Sequence, residues 1–404
     1  MTEKRTPENT MGSGRPAPVH PAEHSLYLGA VITQDAPIFG LLLACLALVF
    51  HMARLPQFAK FYRIVPALLM AYFLPAILNS TGIIEAGEGS NLYYVASRYL
   101  LPASLIMFCL SIDIKGILNL GPKALIMFFA ATLGIVVGGP VALWLVSQIR
   151  PDVLGGDAPD ALWRGLSTIA GSWIGGGANQ TALKEIAQAQ DDQFSVMIIV
   201  DVFVANLWMP FLLIGAGISA VIDKRLKADA SAVDALKQKV EDYQQSIARI
   251  PSFNDLMVLF GVIFLMVGLA HFAGDGISQG IASAFDDALE RNPYSSVRFQ
   301  SSLTSHFFWL VFLSTGFGVA LSFTPMKAYE GAGASKMASV FLYVLVATIG
   351  AKMDIGELVH SWERYWPVIV IGLLWMLVHV VILLAVAKVI RAPFVFVAVG
   401  SQAN

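Results

Sequence analysis

Apolar runs long enough to cross a lipid bilayer recur through this chain, and no other feature restricts its folding as severely. They fall at about 38–53, 64–81, 98–113, 123–149, 165–186 and 194–222, and again at 255–272, 306–324, 338–353 and 366–390, with a short run starting at Phe394. At 1.5 Å per helical residue, about 20 residues cover a hydrocarbon core of roughly 30 Å. No water is present there to satisfy backbone N–H and C=O groups, so each run must close its own hydrogen bonds as a helix. The expectation is an all-α polytopic membrane protein with about 10–11 spans.

Composition agrees. Of 404 residues, 56% are hydrophobic and 13% charged, whereas ordinary soluble domains carry about 25% charge. A large soluble enzyme is excluded. The net charge is -2 and the basic residues are scattered through short loops, so nucleic acid is not an expected partner. Cys45 and Cys109 lie inside apolar runs and the histidines are dispersed, which suggests neither a disulfide framework nor a metal cluster.

Polarity divides the chain into four parts. Residues 1–36 are polar and rich in Pro and Gly and read as a disordered N-terminal tail. Residues 37–222 form a first membrane half. Residues 223–254 form a charged linker in which Val233, Leu236, Val240 and Tyr243 mark an amphipathic helix. Residues 255–404 form a second half, in which the segment 276–300 is too polar to span and reads as a helix at the membrane interface.

Within the first half, residues 164–206 stand out. Gly175, Gly176 and Gly177 interrupt an apolar run, and each costs roughly 1 kcal/mol relative to Ala in a helix interior. A helix should break there. Freed backbone groups at membrane depth are tolerated only against protein or a water-filled cavity, so such a break points to a transporter's binding site. Ser172, Asn179, Gln180 and Thr181 bracket the glycines with neutral oxygens and amides. The half-helix starting near Ala178 would offer N–H groups to an anion. Asp201 places a carboxylate inside the following run, at a cost of roughly 2.5–3.5 kcal/mol at a helix centre, so it should face a polar interior and act in cation or proton coupling. Asn206, about 140° further round that helix, is a second candidate. Each has a plainer alternative. The glycines could merely allow close packing, Asp201 could be a structural carboxylate capped by the glycine-loop amides or paired to a lysine, and Asn206 could serve only an interhelical hydrogen bond.

The two halves also resemble each other. LPASLIMFCLSIDIKGIL, a long apolar helix and AGSWIGGGANQ follow one another in the first; KMASVFLYVLVATIGAKMDIGEL, a long apolar helix and VGSQAN do so in the second. Ser401, Gln402 and Asn404 would thus form the partner break. That element is cut at Asn404, so the sequence is expected to belong to a longer protein. Asp113 and Asp354, which each close a helix, are expected to cap the next one. His271 and His379 stand singly on apolar helices and are expected to pack there, with His379, near the middle of its span, a weaker candidate for proton handling. Six spans before the linker leave the sense of the repeat open, because an inverted repeat needs an odd offset.

GSWIGGGANQTAL at 171–183, LSFTPMKAYEGAGASKMASVFLYVLVATIGAKMDIGEL at 321–358 and the terminal VGSQAN resemble the membrane family catalogued as domain of unknown function 819. That family is grouped with sodium/proton antiporters and bile acid:sodium symporters. The resemblance implies a panel domain and a core domain with two discontinuous helices crossing near the midplane. It supplies no substrate.

These readings converge on a secondary active transporter of a small-molecule solute, an organic anion or similar, acting by alternating access and coupled to Na+ or H+. Ser172, Gly175, Gly176, Gly177, Asn179, Gln180, Thr181, Asp201, Asn206, Ser401, Gln402 and Asn404 would line the site. Asn179, Gln180 and Asp201 could hold Na+, and no other metal or cofactor is expected. The rival readings are a membrane sensor or structural protein using the 223–254 linker to bind a partner, and an intramembrane enzyme, which lacks a base near Ser172. A bacterial inner or plasma membrane is the expected lipid bilayer. The N-terminus is placed in the cytoplasm because Lys224, Arg225 and Lys227 flank a span. A homodimer is an assembly to test for.

Overall fold

The computed structural model describes residues 32–86, 90–112, 121–156, 158, 160–226, 228, 249–291, 302–353, 355–356 and 362–401. The tail before residue 32, the linker-helix residues Val233, Leu236, Val240 and Tyr243, the capping candidates Asp113 and Asp354, and the site candidates Gln402 and Asn404 lie outside them. Described secondary structure is helical apart from an isolated bridge between Ile32 and Ile84. The first membrane half holds α1 (Asp35–Arg54), α2 (Ala67–Ser80), α3 (Leu92–Leu110, with a π turn over Ala96–Leu100), α4 (Pro122–Ser147), α5 (Leu162–Gly175), α6 (Gly177–Ile186) and α7 (Asp191–Gly217). After α8 (Ser219–Leu226), the second half contributes α9 (Phe253–Arg291), α10 (His306–Ser322), α11 (Ala334–Gly350), α12 (Trp362–Ile390) and α13 (Phe394–Ser401).

Six of these helices are long and apolar enough to cross a membrane: α1, α3, α4, α7 over Asp191–Met209, α9, and α12 over Trp366–Ile390. A seventh is added if Pro56–Arg63 and α2, bent by 92°, count as one span. The protein is therefore an integral, multi-pass, all-α membrane protein, with fewer full-length spans among the described residues than the 10–11 expected. At 17 residues each, α10 and α11 reach only about 26 Å.

The run at 165–186 is not one continuous helix. Arg164 Nη1, at the start of α5, donates to the Ala187 carbonyl just beyond α6 at 2.8 Å. Midway along, a Cβ on Gly171 would lie 2.8 Å from the Asn179 carbonyl oxygen and from Leu183 Cδ1. The two arms thus run antiparallel, side by side, and form a helical hairpin. Gly176 at its tip has φ 81 and ψ -175, a conformation essentially open only to glycine. Arms of 14 and 10 residues, about 21 and 15 Å, are each too short to span. Counting the hairpin as entering and leaving on one side removes one crossing from the first half.

A second correction concerns the polar segment after residue 272. Over 276–291 it does not form a separate interfacial helix, because α9 continues without interruption for 39 residues to Arg291; residues 292–300 lie outside the described residues. No proline falls between Phe253 and Arg291 to interrupt it. At about 58 Å it is twice a bilayer thickness, and its polar end extends past the apolar layer.

Two groups of cores organise the packing. One is built by α1, α2, α3, α9, α10 and α11, through residues such as Ile38, Tyr72, Leu101, Ile106, Ile263, Leu310 and Leu345. The other is built by α4, α12 and α13 together with α5, through Ile135, Ile169, Trp173, Trp375, Leu383 and Val397. In the second, α4 and α12 approach closely: Trp375 Nε1 donates to the Ile135 carbonyl at 2.8 Å, and a Cβ on Gly138 would stand 2.6 Å from Trp375 Cδ1. His379 is buried against Gly134 in the same contact, as a packing residue would be.

The hairpin straddles these cores. Ala178 and Ala182 of α6 join the first, whereas Leu162, Leu166, Ile169 and Trp173 of α5 join the second. α7 divides likewise, with Phe194 and Ile198 on one side and Val196, Met197, Val200 and Val204 on the other.

Candidate functional site

Asp201 is the residue at which the two hairpin arms and α7 meet. Ser172 Oγ donates to its Oδ2 at 2.6 Å and Trp173 Nε1 to its Oδ1 at 2.6 Å, both from α5. From α6, Gln180 Nε2 donates to Oδ2 at 3.3 Å. The carboxylate, Ser172, Trp173 and Gln180 are all buried. All three donors are neutral, so the carboxylate's charge is solvated by dipoles and not by a cation. Asp201 is ten residues into α7, about 15 Å along it, near the middle of the apolar stretch Asp191–Met209.

The remaining sequence candidates separate into groups. Gly175, Gly176 and Gly177 form the hairpin tip, where Gly175 is exposed and its two successors are half-buried. Exposed Asn179 packs its carboxamide against Gly175 and makes no contact with Asp201. Thr181 Oγ1 donates to the Gly177 carbonyl at 2.8 Å, within its own helix. Asn206 Nδ2 donates to the Val202 carbonyl at 2.9 Å, also within its own helix. Ser401 ends α13. The structure therefore gathers Ser172, Gln180 and Asp201, and leaves Asn179, Thr181 and Asn206 outside that cluster.

A charged network at the base of the hairpin escapes sequence reading. Lys184 of α6 is buried, and its Nζ lies 2.7 Å from Asp191 Oδ1 and 3.4 Å from Glu185 Oε1. It also donates to the Tyr93 hydroxyl at 3.1 Å. Tyr93 in turn donates to Glu185, whose other oxygen pairs with Arg98 Nη1 at 3.0 Å. Lys352, just past α11, completes the network at 3.2 Å from Asp191 Oδ2, with its ammonium 4.4 Å from the centre of the Tyr93 ring. Asp191, Tyr93 and Lys352 line an open cavity of about 490 Å³ together with Asn79, Glu85, Ser90 and Thr348. The only sequence signal was a Lys-Glu pair inside an otherwise weakly polar arm. Its partners come from positions 93, 98, 191 and 352, which no local pattern links.

Chemically, the two clusters do different things. The lower one neutralises its carboxylates with cations. The upper one holds a carboxylate that could take up a proton or a monovalent cation without displacing an ammonium group.

A helical membrane chain with a helical hairpin joining two packed groups of helices is the class that fold and site define. The chain belongs to the family described as protein of unknown function DUF819, whose model matches residues 40–404. No curated protein and no solved structure matches it.

Proposed function

We propose that this protein is a secondary active transporter of a small solute, an organic anion or similar, which works by alternating access with Na+ or H+ as its coupling ion. One observation carries the reading: a carboxylate buried near the middle of an apolar helix, bound among the described residues by neutral donors, ties both arms of a hairpin to that helix. A buried charge of this kind is expensive unless it works. Binding a cation or proton at Asp201 would weaken its bonds to Ser172, Trp173 and Gln180 and so alter how the hairpin is held between the two cores. The glycine tip and the first N–H groups of α6 would face the anionic solute. In this proposal the second half supplies a matching broken element ending in Ser401, Gln402 and Asn404, the halves are repeats, and the family's place beside sodium/proton antiporters and bile acid:sodium symporters reflects shared mechanism. The bacterial inner membrane and a cytoplasmic N-terminus belong to the same proposal.

The test uses Asp201→Asn, which keeps the side chain's shape and removes its charge. Wild-type protein should shift its melting temperature with Na+ against K+, or with pH, and should carry charge when a panel of small carboxylates is applied to proteoliposomes. Both responses should disappear in Asp201→Asn while the folded yield persists. Wild-type responses that survive the substitution would sink the assignment.

A further inference from the structure

His271 is not the lone packing histidine expected from the sequence. Its Nδ1 lies 3.1 Å from Nε2 of His306, thirty-five residues on, and the rings stack with centroids 5.2 Å apart. The other nitrogen of His271, Nε2, is 2.9 Å from the Arg98 carbonyl oxygen. The other nitrogen of His306, Nδ1, is 2.9 Å from Asp275 Oδ1. A chain of three polar contacts thus runs from a carbonyl through two imidazoles to a carboxylate.

Counting protons along that chain gives a definite answer. Both ends are acceptors only, so His271 Nε2 and His306 Nδ1 must each carry a hydrogen. A lone pair on His306 Nδ1 would face the carboxylate at 2.9 Å, which is repulsive. The contact lacks hydrogen-bond geometry and is an ion pair, favourable when His306 carries the proton. The central contact between the two rings needs one hydrogen more. Three hydrogens are required, and two neutral imidazoles supply two. The facing ring nitrogens stand too close to admit a metal ion between them. Hydrogen positions follow here from closing the network.

We infer that His271, His306 and Asp275 form a site that binds one proton as a unit, separate from Asp201, and that the bound proton acts on the hairpin through Arg98. The proton is shared across the Nδ1–Nε2 contact, and Asp275 compensates its charge. Asp275 lies in the polar extension of α9, and its side chain is 63% exposed, so the proton has a route to water. Among the described residues, the charged and titratable groups facing the pair are Arg98 and Tyr99 from the π turn and Asp275 from α9 itself; the Tyr99 ring lies 5.4 Å from that of His271. Glu185 reaches the pair only through Arg98.

Arg98 links this site to the hairpin. Its carbonyl accepts from His271, while its guanidinium pairs with Glu185 of α6 at 3.0 Å and lies 4.3 Å from the Phe307 ring centre, beside His306. It sits in the π turn of α3, a widened geometry that recurs at functional sites. A proton gained by the imidazole pair adds positive charge next to Arg98, and so weakens the hold of Arg98 on α6. Proton binding itself does not depend on the transporter reading.

The test is nitrogen NMR of histidine-labelled, full-length protein in nanodiscs, titrated between pH 4.5 and 9. In the unmodified protein, a coupling across the hydrogen bond should join one nitrogen of His271 to one of His306, and both rings should respond to a single proton. Asp275→Asn should lower the proton affinity at least tenfold, and His306→Gln should abolish the joint response of His271. Hydrogen exchange along α6 should rise on protonation in the unmodified protein and not in His306→Gln. Rings that titrate independently, no coupling between them, or an affinity unmoved by Asp275→Asn would overturn the site. Exchange in α6 indifferent to the proton would overturn its action through Arg98. None of these readouts requires a known solute, so they stand or fall apart from transport.

Discussion

Asp191 and Asp201 are ten residues apart on α7 and have opposite environments. Asp191, half-buried at the mouth of a cavity, touches two lysines from two different elements. Asp201, buried where α7 meets the hairpin, touches a hydroxyl, an indole and a carboxamide. Charge balance at the first makes it a clasp, because separating oppositely charged groups in a site of low dielectric is costly. At the second no ammonium stands in the way of a proton or cation. One helix therefore carries a fixed carboxylate near its end and an uncompensated one near its middle, and the same hairpin touches both.

The largest effect that would test this contrast comes from Lys184→Met. Removing the buried ammonium leaves Asp191 only Lys352 and Glu185 only Arg98 and Tyr93, at a cost of up to about 3–5 kcal/mol, the figure for a buried charge left without its partner, so folded yield and melting temperature should fall. Lys184→Arg should restore most of the loss, and near-wild-type stability in the methionine variant would show that the lower cluster is not a clasp. Trp173→Phe comes next. It deletes one N–H bond to the Asp201 carboxylate, worth about 1.5–3 kcal/mol when the acceptor is charged, and chemical denaturation would register it. If Asp201 is already neutral in the resting protein, the loss should shrink to about 1 kcal/mol. Gly171→Ala should cost about 1–3 kcal/mol by wedging α5 from α6, since its methyl would press on the Asn179 carbonyl. A silent alanine there would argue against the antiparallel hairpin. Lys352→Ala, at the exposed side of the Asp191 clasp, should cost only about 0–1 kcal/mol and less in high salt. Asn206→Ala, bonded within its own helix, should stay within about 0.5 kcal/mol.

Much of the helical layout was legible because the bilayer makes apolar run length a strong signal, and the 38–53 and 123–149 runs reappear as α1 and α4. The polar extension of α9 was misread because backbone hydrogen bonding does not need apolar side chains to continue a helix. Gly171, Ser172 and Gln180 belonged to a stretch whose composition announced a special backbone. The direction of the chain after Gly176 was not readable, since a glycine permits both a continued crossing and a reversal.

From residue types alone follow the membrane class, the helical fold and the placement of a carboxylate inside an apolar segment. Hydrophobicity and backbone hydrogen bonding are local and additive along the chain, and so can be read from it. Only the tertiary structure decided that α5 and α6 fold back on one another, that Lys184 meets Asp191 and Lys352, and that His271 meets His306. Those pairings depend on which helices pack together, and nothing in the local sequence around His271 encodes a partner thirty-five residues away.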